Sequence, residues 1–125
     1  MEKGKKDFGF KKLIVWQKAV ELADAVYKIS EEFPKRESHI LVPQLFRAIN
    51  SVPANIAEGS FRQSKKEFIQ FLFVAKGSLA ETITYFELAF RQNYFDKGTY
   101  DILINKSKEV LTLLVSLINS FRKSE

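Results

Sequence analysis

Polar residues surround a proline in the middle of the chain, and they are the first candidates for chemistry. In the stretch SVPANIAEG, Pro53 lies among apolar residues at helical spacing, and Asn55 follows it. Proline lacks an N–H and pushes against the carbonyl four residues back, so the Ile49 oxygen loses its helical partner. An amide can both donate and accept, and buried carbonyls normally find a donor. We therefore expect Asn55 to repair a helix kinked at Pro53, ahead of a ligand site there.

The acid in the same stretch, Glu58, has several possible partners. Arg62 lies four residues on, but Gly59 suits the left-handed conformation that ends a helix, so an i,i+4 pair cannot be assumed. Glu58 could equally pair with Arg47 or with a residue of the third helix. If it approached Glu81, two carboxylates without a cleft would be salt-bridged more often than catalytic. We interpret these residues as structural.

Enzymatic chemistry has little support in the sequence. The single histidine, His39, lies in a connector, and the absence of cysteine excludes disulfides and zinc–thiolate sites. No Glu-x-x-His pair and no phosphate-cradling glycine loop occur. We therefore predict no catalytic residue, no metal and no cofactor.

Clusters of cations indicate nucleic acid as a ligand. The net charge is +5, and residues 1–12 and 60–125 each contribute +3, whereas residues 13–59 contribute −1. Neutralising phosphates requires such clusters, and Arg122 with Lys123 adds another. The alternative is that they are simply solvated, since the sequence does not interleave aromatic residues with the lysines. The candidate nucleic-acid-binding residues are Lys5, Lys6, Lys11, Lys12, Arg62, Lys65 and Lys66.

Helices must position these groups. Apolar residues at alternating steps of three and four predict helices over about 13–33, 42–59, 65–93 and 98–122. Ser64 with Glu67 has the form of a capping box, and Asp96 is a candidate N-cap. No segment alternates as a strand. We predict an all-α fold, an antiparallel up-down four-helix bundle over residues 13–123, preceded by a basic flexible tail over residues 1–12.

The apolar surface exceeds what one bundle seam needs. Gly77 should weaken the third helix by about 1 kcal/mol relative to alanine, so we expect a close helix–helix approach there. Helix four also has two apolar stripes. The surplus favours a homo-oligomer interface, and the alternative is a wide apolar face inside a single bundle. The third helix alone carries Phe68, Phe71, Phe73, Phe86 and Phe90.

From Phe10 onward the chain resembles a known family. The stretches LIVWQKAVELADAVYKISEEFP and RAINSVPANIAEGSFRQSKKEFIQFLFVAKGSLAETIT, and the later NYFD, carry the likeness. They resemble the four-helix-bundle proteins encoded in intervening sequences of bacterial large-subunit ribosomal RNA genes, and the accessory variability proteins of diversity-generating retroelements. The resemblance implies a homopentameric ring, nucleic-acid binding and, in the retroelement branch, a reverse transcriptase partner. It marks as fold and assembly positions Arg47, Asn55, Glu58, Gly59, Arg62, Gly77, Ser78 and Glu81, and we interpret Pro53 as structural because of the kink.

The sequence departs from the family pattern in two places. Residues 39–42 stand where the family commonly has Tyr-Gly-Leu-Thr, so the hydroxyl cap before helix two is missing, and Phe46 stands where a basic residue is common. The sequence thus predicts a non-enzymatic, homo-oligomeric, RNA- or DNA-binding bundle protein. The alternative is a protein-interaction scaffold or accessory subunit, for example for a reverse transcriptase. Every apolar run falls short of the about 18 residues of a membrane span, so we expect no membrane contact. The absence of cysteine fits a cytoplasmic location.

Overall fold

The computed structural model describes residues 8–124, and four α-helices account for most of them. The helices are α1 (Ile14–Ser30), α2 (Leu41–Ser60), α3 (Lys65–Arg91) and α4 (Lys97–Lys123). Two short 3₁₀ turns, Gly9–Lys12 and Lys35–His39, precede α1 and α2. No strand occurs between residues 8 and 124. The predicted all-α fold is confirmed.

The helices pack in the order in which they occur along the chain. Each helix packs against its neighbour in sequence, and α1 closes the bundle against α4, whereas the backbones of the diagonal helix pairs in the described chain stay farther apart. The buried side chains follow the predicted stripes, with Leu22, Leu45, Leu79 and Leu114 contributing one from each helix. This is the expected antiparallel up-down bundle, and its topology places alternate helix termini at the same end.

Side-chain caps define two of the helix starts as the sequence predicts. The Ser64 hydroxyl accepts a hydrogen bond from the Glu67 N–H at 3.1 Å, and the Asp96 carboxylate accepts one from the Thr99 N–H at 2.8 Å. No hydroxyl caps α2. Instead, a Glu37 oxygen from the preceding 3₁₀ turn accepts from the Leu41 N–H at 3.3 Å.

Pro53 lies inside α2, which continues beyond it to Ser60. The prediction that Asn55 hydrogen-bonds to the Ile49 carbonyl freed by Pro53 is wrong. The side-chain amide of Asn55 donates one hydrogen bond to the Ser51 carbonyl and one to the Ser51 hydroxyl, each at 2.8 Å. It therefore does not reach the Ile49 carbonyl. The Ser51 hydroxyl also lies 2.8 Å from that of Ser78, so this polar cluster joins α2 to α3 beside the proline.

Gly59 and Gly77 do not have the roles expected from the sequence. Gly59 does not end α2 in a left-handed conformation, since no glycine of the described chain has a positive φ. It allows close approach instead, because a Cβ there would lie 2.8 Å from both Phe68 Cδ1 and Phe71 Cβ. A Cβ on Gly77 would have no neighbour within 4 Å, so the expected helix contact is absent within this chain.

Most of the surplus aromatic surface is packed within the bundle. Phe86 is fully buried, and the ring of Phe90 stacks on that of Tyr100 with 4.5 Å between centroids. Phe68 packs against Phe121 with 5.0 Å between centroids. Several large apolar side chains nevertheless stay exposed: Phe8, Ile14, Tyr27, Ile40, Phe61, Phe73, Val74, Leu88 and Ile102.

Candidate nucleic-acid interface

Both predicted groups of cations meet at one end of the bundle. The up-down order places the start of α1, the end of α2, the start of α3 and the end of α4 together. The Lys65 ammonium donates to the Ser124 hydroxyl at 2.6 Å, which joins the start of α3 to the end of α4. We call this end, residues 8–16, 56–70 and 118–124, the basic end.

The first described residues are folded onto the basic end. The ring of Phe8 stacks on that of Phe10, and both rings contact that of Phe61, which follows α2, with centroids 6.2 and 6.0 Å away. Residues 8–12, the last part of the predicted tail, thus lie against the bundle through aromatic contacts. Lys11 and Lys12 lie in this turn, beside the end of α2. The candidates Lys5 and Lys6 lie outside the described residues.

The charges are unevenly divided between the two ends. The basic end holds two acidic residues, Glu58 and Glu67, against seven basic ones. The opposite end, residues 28–45 and 87–101, holds five basic and six acidic residues. Positive charge is therefore concentrated at one end of the bundle. The basic residues of the basic end are Lys11, Lys12, Arg62, Lys65, Lys66, Arg122 and Lys123.

Arg62 is oriented by two contacts. Its guanidinium donates to the Glu58 carboxylate at 2.7 Å and lies over the Phe71 ring, 4.6 Å from the centroid. The i,i+4 pair forms because α2 runs through Gly59 to Ser60. Glu58 pairs with neither Arg47, which donates to Gln44, nor a residue of α3. Both partners are substantially exposed, so the pair contributes only about 0–1 kcal/mol.

Aromatic rings lie among these cations, contrary to the sequence interpretation. Phe61 and Phe8 are 68% and 60% exposed, and Phe61 immediately precedes Arg62. The Arg122 guanidinium lies over the Phe73 ring at 5.1 Å from the centroid. Sequence reasoning missed this arrangement because three separate segments contribute to it. The available signals were Phe8 and Phe10 directly before Lys11 and Lys12, and Phe61 directly before Arg62.

At the opposite end of the bundle, two hydrogen-bonded clusters each contain a carboxylate, a tyrosine and an arginine. Tyr100 donates to Glu87 at 2.6 Å and Arg91 donates to it at 2.8 Å, and these two hydrogen bonds lower the pKa of Glu87. The same contact raises the pKa of Tyr100. Tyr94 donates to Glu37, which raises the pKa of Tyr94. These groups fasten the α3–α4 connection and the turn before α2.

No reactive constellation occurs in the described part of the chain. His39 is exposed in the second 3₁₀ turn, and Glu81 is exposed on α3, away from any cleft. Between residues 8 and 124, no three histidine or carboxylate side chains converge on one metal position. No helix in that range has the length and apolarity to cross a membrane.

One face of α3 exposes several apolar residues to solvent, with the exposed Glu81 and Thr84 among them. We call this set the α3 face: Phe73, Val74, Gly77, Ala80 and Leu88. The residues recur at helical spacing on the side opposite the buried stripe. Near its end, Leu88 borders a groove of about 490 Å³ together with Ile40, Leu41 and Tyr85.

The fold and its charged end define an antiparallel four-helix bundle with a single basic end. Residues 11–116 match the family described as 23S rRNA-intervening sequence protein, and the chain belongs to that family. The structure is also similar to a crystal structure from Bacteroides thetaiotaomicron, described as a protein of unknown function from the S23 ribosomal protein family. That similarity has a TM-score of 0.75 at 30% identity and covers 84% of this chain and 98% of the other. No curated protein matches the chain.

Proposed function

We propose that this chain is a non-enzymatic, homo-oligomeric bundle protein that binds nucleic acid, and RNA in particular, through its basic end. The observation that carries the proposal is the meeting of Lys11 and Lys12 with Arg62, Lys65 and Lys66, about fifty residues away in sequence, at one end. Clusters of this kind neutralise phosphates and release their counterions. The family membership supports an RNA context.

The contrast between the ends favours a specific surface over general surface charge. At the opposite end, acidic residues offset the basic ones, and Arg91 and Lys97 are paired with carboxylates on their own helices. At the basic end, only Arg62 has a carboxylate partner in the described chain. Lys66 and Lys123 extend exposed from helix termini, where phosphate oxygens can approach them.

A non-enzymatic role is supported by the hydrogen bonds and ion pairs that already engage the polar residues. Glu58 is engaged by Arg62, Asn55 by Ser51, and Glu87 by Tyr100 and Arg91. No cleft brings a nucleophile to a base in the described part of the chain. The chemistry of the basic end is recognition of anions.

Assembly is the second part of the proposal. The α3 face exposes Phe73, Val74 and Leu88 in a single copy, and a partner copy would remove them from water. The family resemblance implies a pentameric ring. A ring would present several basic ends together, so weak phosphate contacts would multiply through effective concentration.

The test is RNA binding across a salt series. The triple variant Arg62→Ala, Lys65→Ala, Lys66→Ala should bind an RNA hairpin more weakly. The slope of log affinity against log salt should fall by about 2, since each lost phosphate contact removes about 0.7 to 0.9. The matched control is Lys28→Ala, Lys35→Ala, Lys97→Ala, which removes the same charge at the opposite end and should bind like the parent.

If both triple variants lose affinity equally, the attraction is a net-charge effect and the basic end is not the site. Light scattering of the parent tests assembly in parallel. A monomer at micromolar concentration would remove the ring and the multivalency.

The second candidate is an interaction scaffold or accessory subunit whose partner supplies the chemistry, for example a reverse transcriptase. The groove of Ile40, Leu41, Tyr85 and Leu88 favours it, since it is open and largely apolar. Copurification from the native host separates the two candidates. Sequencing of bound nucleic acid and identification of bound polypeptide show which class accompanies the chain, and a neighbouring reverse transcriptase gene would favour the scaffold.

A further inference from the structure

We propose that the basic end recognises unpaired nucleotides, whose bases stack on Phe61 and Phe8. This inference rests on the proposed nucleic-acid function and names its ligand class. The two rings are unfavourably exposed to water, since Phe61 is 68% exposed and Phe8 is 60% exposed although both are large and apolar. Neither ring is needed to fill the buried core. At this end of the bundle, the core begins at Val15 and Ile56.

The two rings are held in fixed positions by aromatic neighbours. Phe10 stacks against Phe8 with an interplanar angle of 8°, and it contacts Phe61 edge-on at 60°. Behind them, the Trp16 ring supports Phe10 at 5.3 Å between centroids. Because Phe10 and Trp16 brace them, Phe8 and Phe61 would lose little conformational freedom on contact with a ligand.

The surroundings of the rings select an anionic occupant. Lys11 and Lys12 follow Phe8 within four residues, and Arg62 follows Phe61 directly. A groove of about 240 Å³ opens between Phe61 and the first 3₁₀ turn, below the range of about 300–1,000 Å³ for drug-sized ligands, so it suits a single planar ring. A flat aromatic group joined to phosphates matches both features.

A second copy of the chain does not suit this surface. Two copies meeting at their basic ends would oppose a net charge of +5 to +5, seven basic against two acidic residues in each, and like charges brought together at an interface cost several kcal/mol. Single-stranded nucleic acid brings the complementary charge. Its bases are also free to stack, whereas those of a duplex are already covered by their neighbours. The exposed rings therefore gain from unpaired bases and gain nothing from a helix.

The experiment compares a short single-stranded oligoadenylate with a blunt RNA duplex of equal total charge, using the full chain. Phe61→Ala should weaken binding of the single strand about 5- to 150-fold, the usual effect of losing one stacked base. Duplex binding and the salt slope should stay unchanged, because no phosphate contact is lost. Phe61→Trp should keep or improve the affinity. The control is Ile102→Ala, which removes a 56% exposed apolar side chain from α4, away from the basic end.

The outcomes separate this inference from the proposed function. If the parent binds neither RNA, the proposed function fails. If it binds both and Phe61→Ala changes neither, only the stacking inference fails. Loss of oligomer mass in Phe61→Ala would assign the rings to a second copy. Binding of the parent to anionic phosphatidylglycerol vesicles that depends on Phe61, with RNA binding intact, would assign them to a membrane surface. Either result overturns the stacking inference.

Discussion

A methyl group on Gly59 would lie 2.8 Å from the Cβ of Phe71, so α2 and α3 pack closely at this point. Phe71 Cβ is anchored to its backbone, so Gly59→Ala must push the helices apart. Overpacking of this kind costs about 1–3 kcal/mol, and alanine returns at most about 1 kcal/mol through helix propensity. We expect a net loss of up to about 2 kcal/mol in the free energy of unfolding, measured by urea denaturation at fixed protein concentration.

Gly77 provides the matched control for that substitution. A Cβ there meets nothing within 4 Å, so Gly77→Ala should stabilise α3 by about 1 kcal/mol. Equal destabilisation by both substitutions would mean that backbone freedom, and not contact with Phe71, sets the requirement for glycine at position 59.

Assembly through the α3 face predicts a change in mass without a change in fold. Val74 is 51% exposed, so Val74→Glu should leave the helical circular dichroism signal unchanged. A carboxylate buried between copies is costly, and the oligomer should therefore dissociate in light scattering. Ile102→Glu, at a similarly exposed position on α4, should leave the mass unchanged. Dissociation by both substitutions would point to acidic charge in general.

The helices could be predicted from the sequence because their signals are local. The three–four spacing gave the buried stripe of α3 from Leu72 to Ala89, and the capping residues Ser64 and Asp96 identified where α3 and α4 start. The first helix, predicted over about 13–33, stops earlier, at Ser30. Residues 31–33 form a turn that brings Phe33 into the core instead.

The roles of single residues could not be predicted where the partner comes from another helix. Nothing near Gly59 in the sequence shows that Phe71 will lie against it, and its position near the helix end suggested a cap. The candidate cations were identified individually, but their meeting depends on Phe8 packing on Phe61 across more than fifty residues. Glu37 likewise replaces the missing hydroxyl cap from a neighbouring turn.

The contact between Glu87 and Tyr100 predicts a stability that falls at both extremes of pH. The pKa of Glu87 is lowered in the fold, so its contribution is present above the ordinary carboxylate pKa of about 4.3 and is lost as the pH falls below it. The pKa of Tyr100 is raised, so its contribution is present below about 10 and is lost as the pH rises through the folded value.

The substitution Tyr100→Phe tests the acidic and the alkaline side of the pH–stability profile together. Thermal unfolding across pH should show a shallower loss on the acidic and the alkaline side than in the parent. Tyr85→Phe is the control, since the Tyr85 hydroxyl makes no hydrogen bond to another residue between 8 and 124, and its profile should match the parent. Identical profiles for the parent and Tyr100→Phe would show that other groups govern the pH dependence.

The hydrogen bond between Ser51 and Ser78 predicts energetic coupling between α2 and α3 beside Pro53. The two hydroxyl oxygens lie 2.8 Å apart, and Ser78 is buried. Each single substitution to alanine should cost about 0.5–1.5 kcal/mol, and the double variant should cost less than the sum of the two. A double-mutant cycle by urea denaturation measures the difference. Thr84→Ala with Ser51→Ala is the reference pair, since Thr84 donates only to its own helix at Ala80, and strict additivity is expected there. Additivity in the Ser51–Ser78 cycle as well would mean that the two hydroxyls stabilise the protein independently.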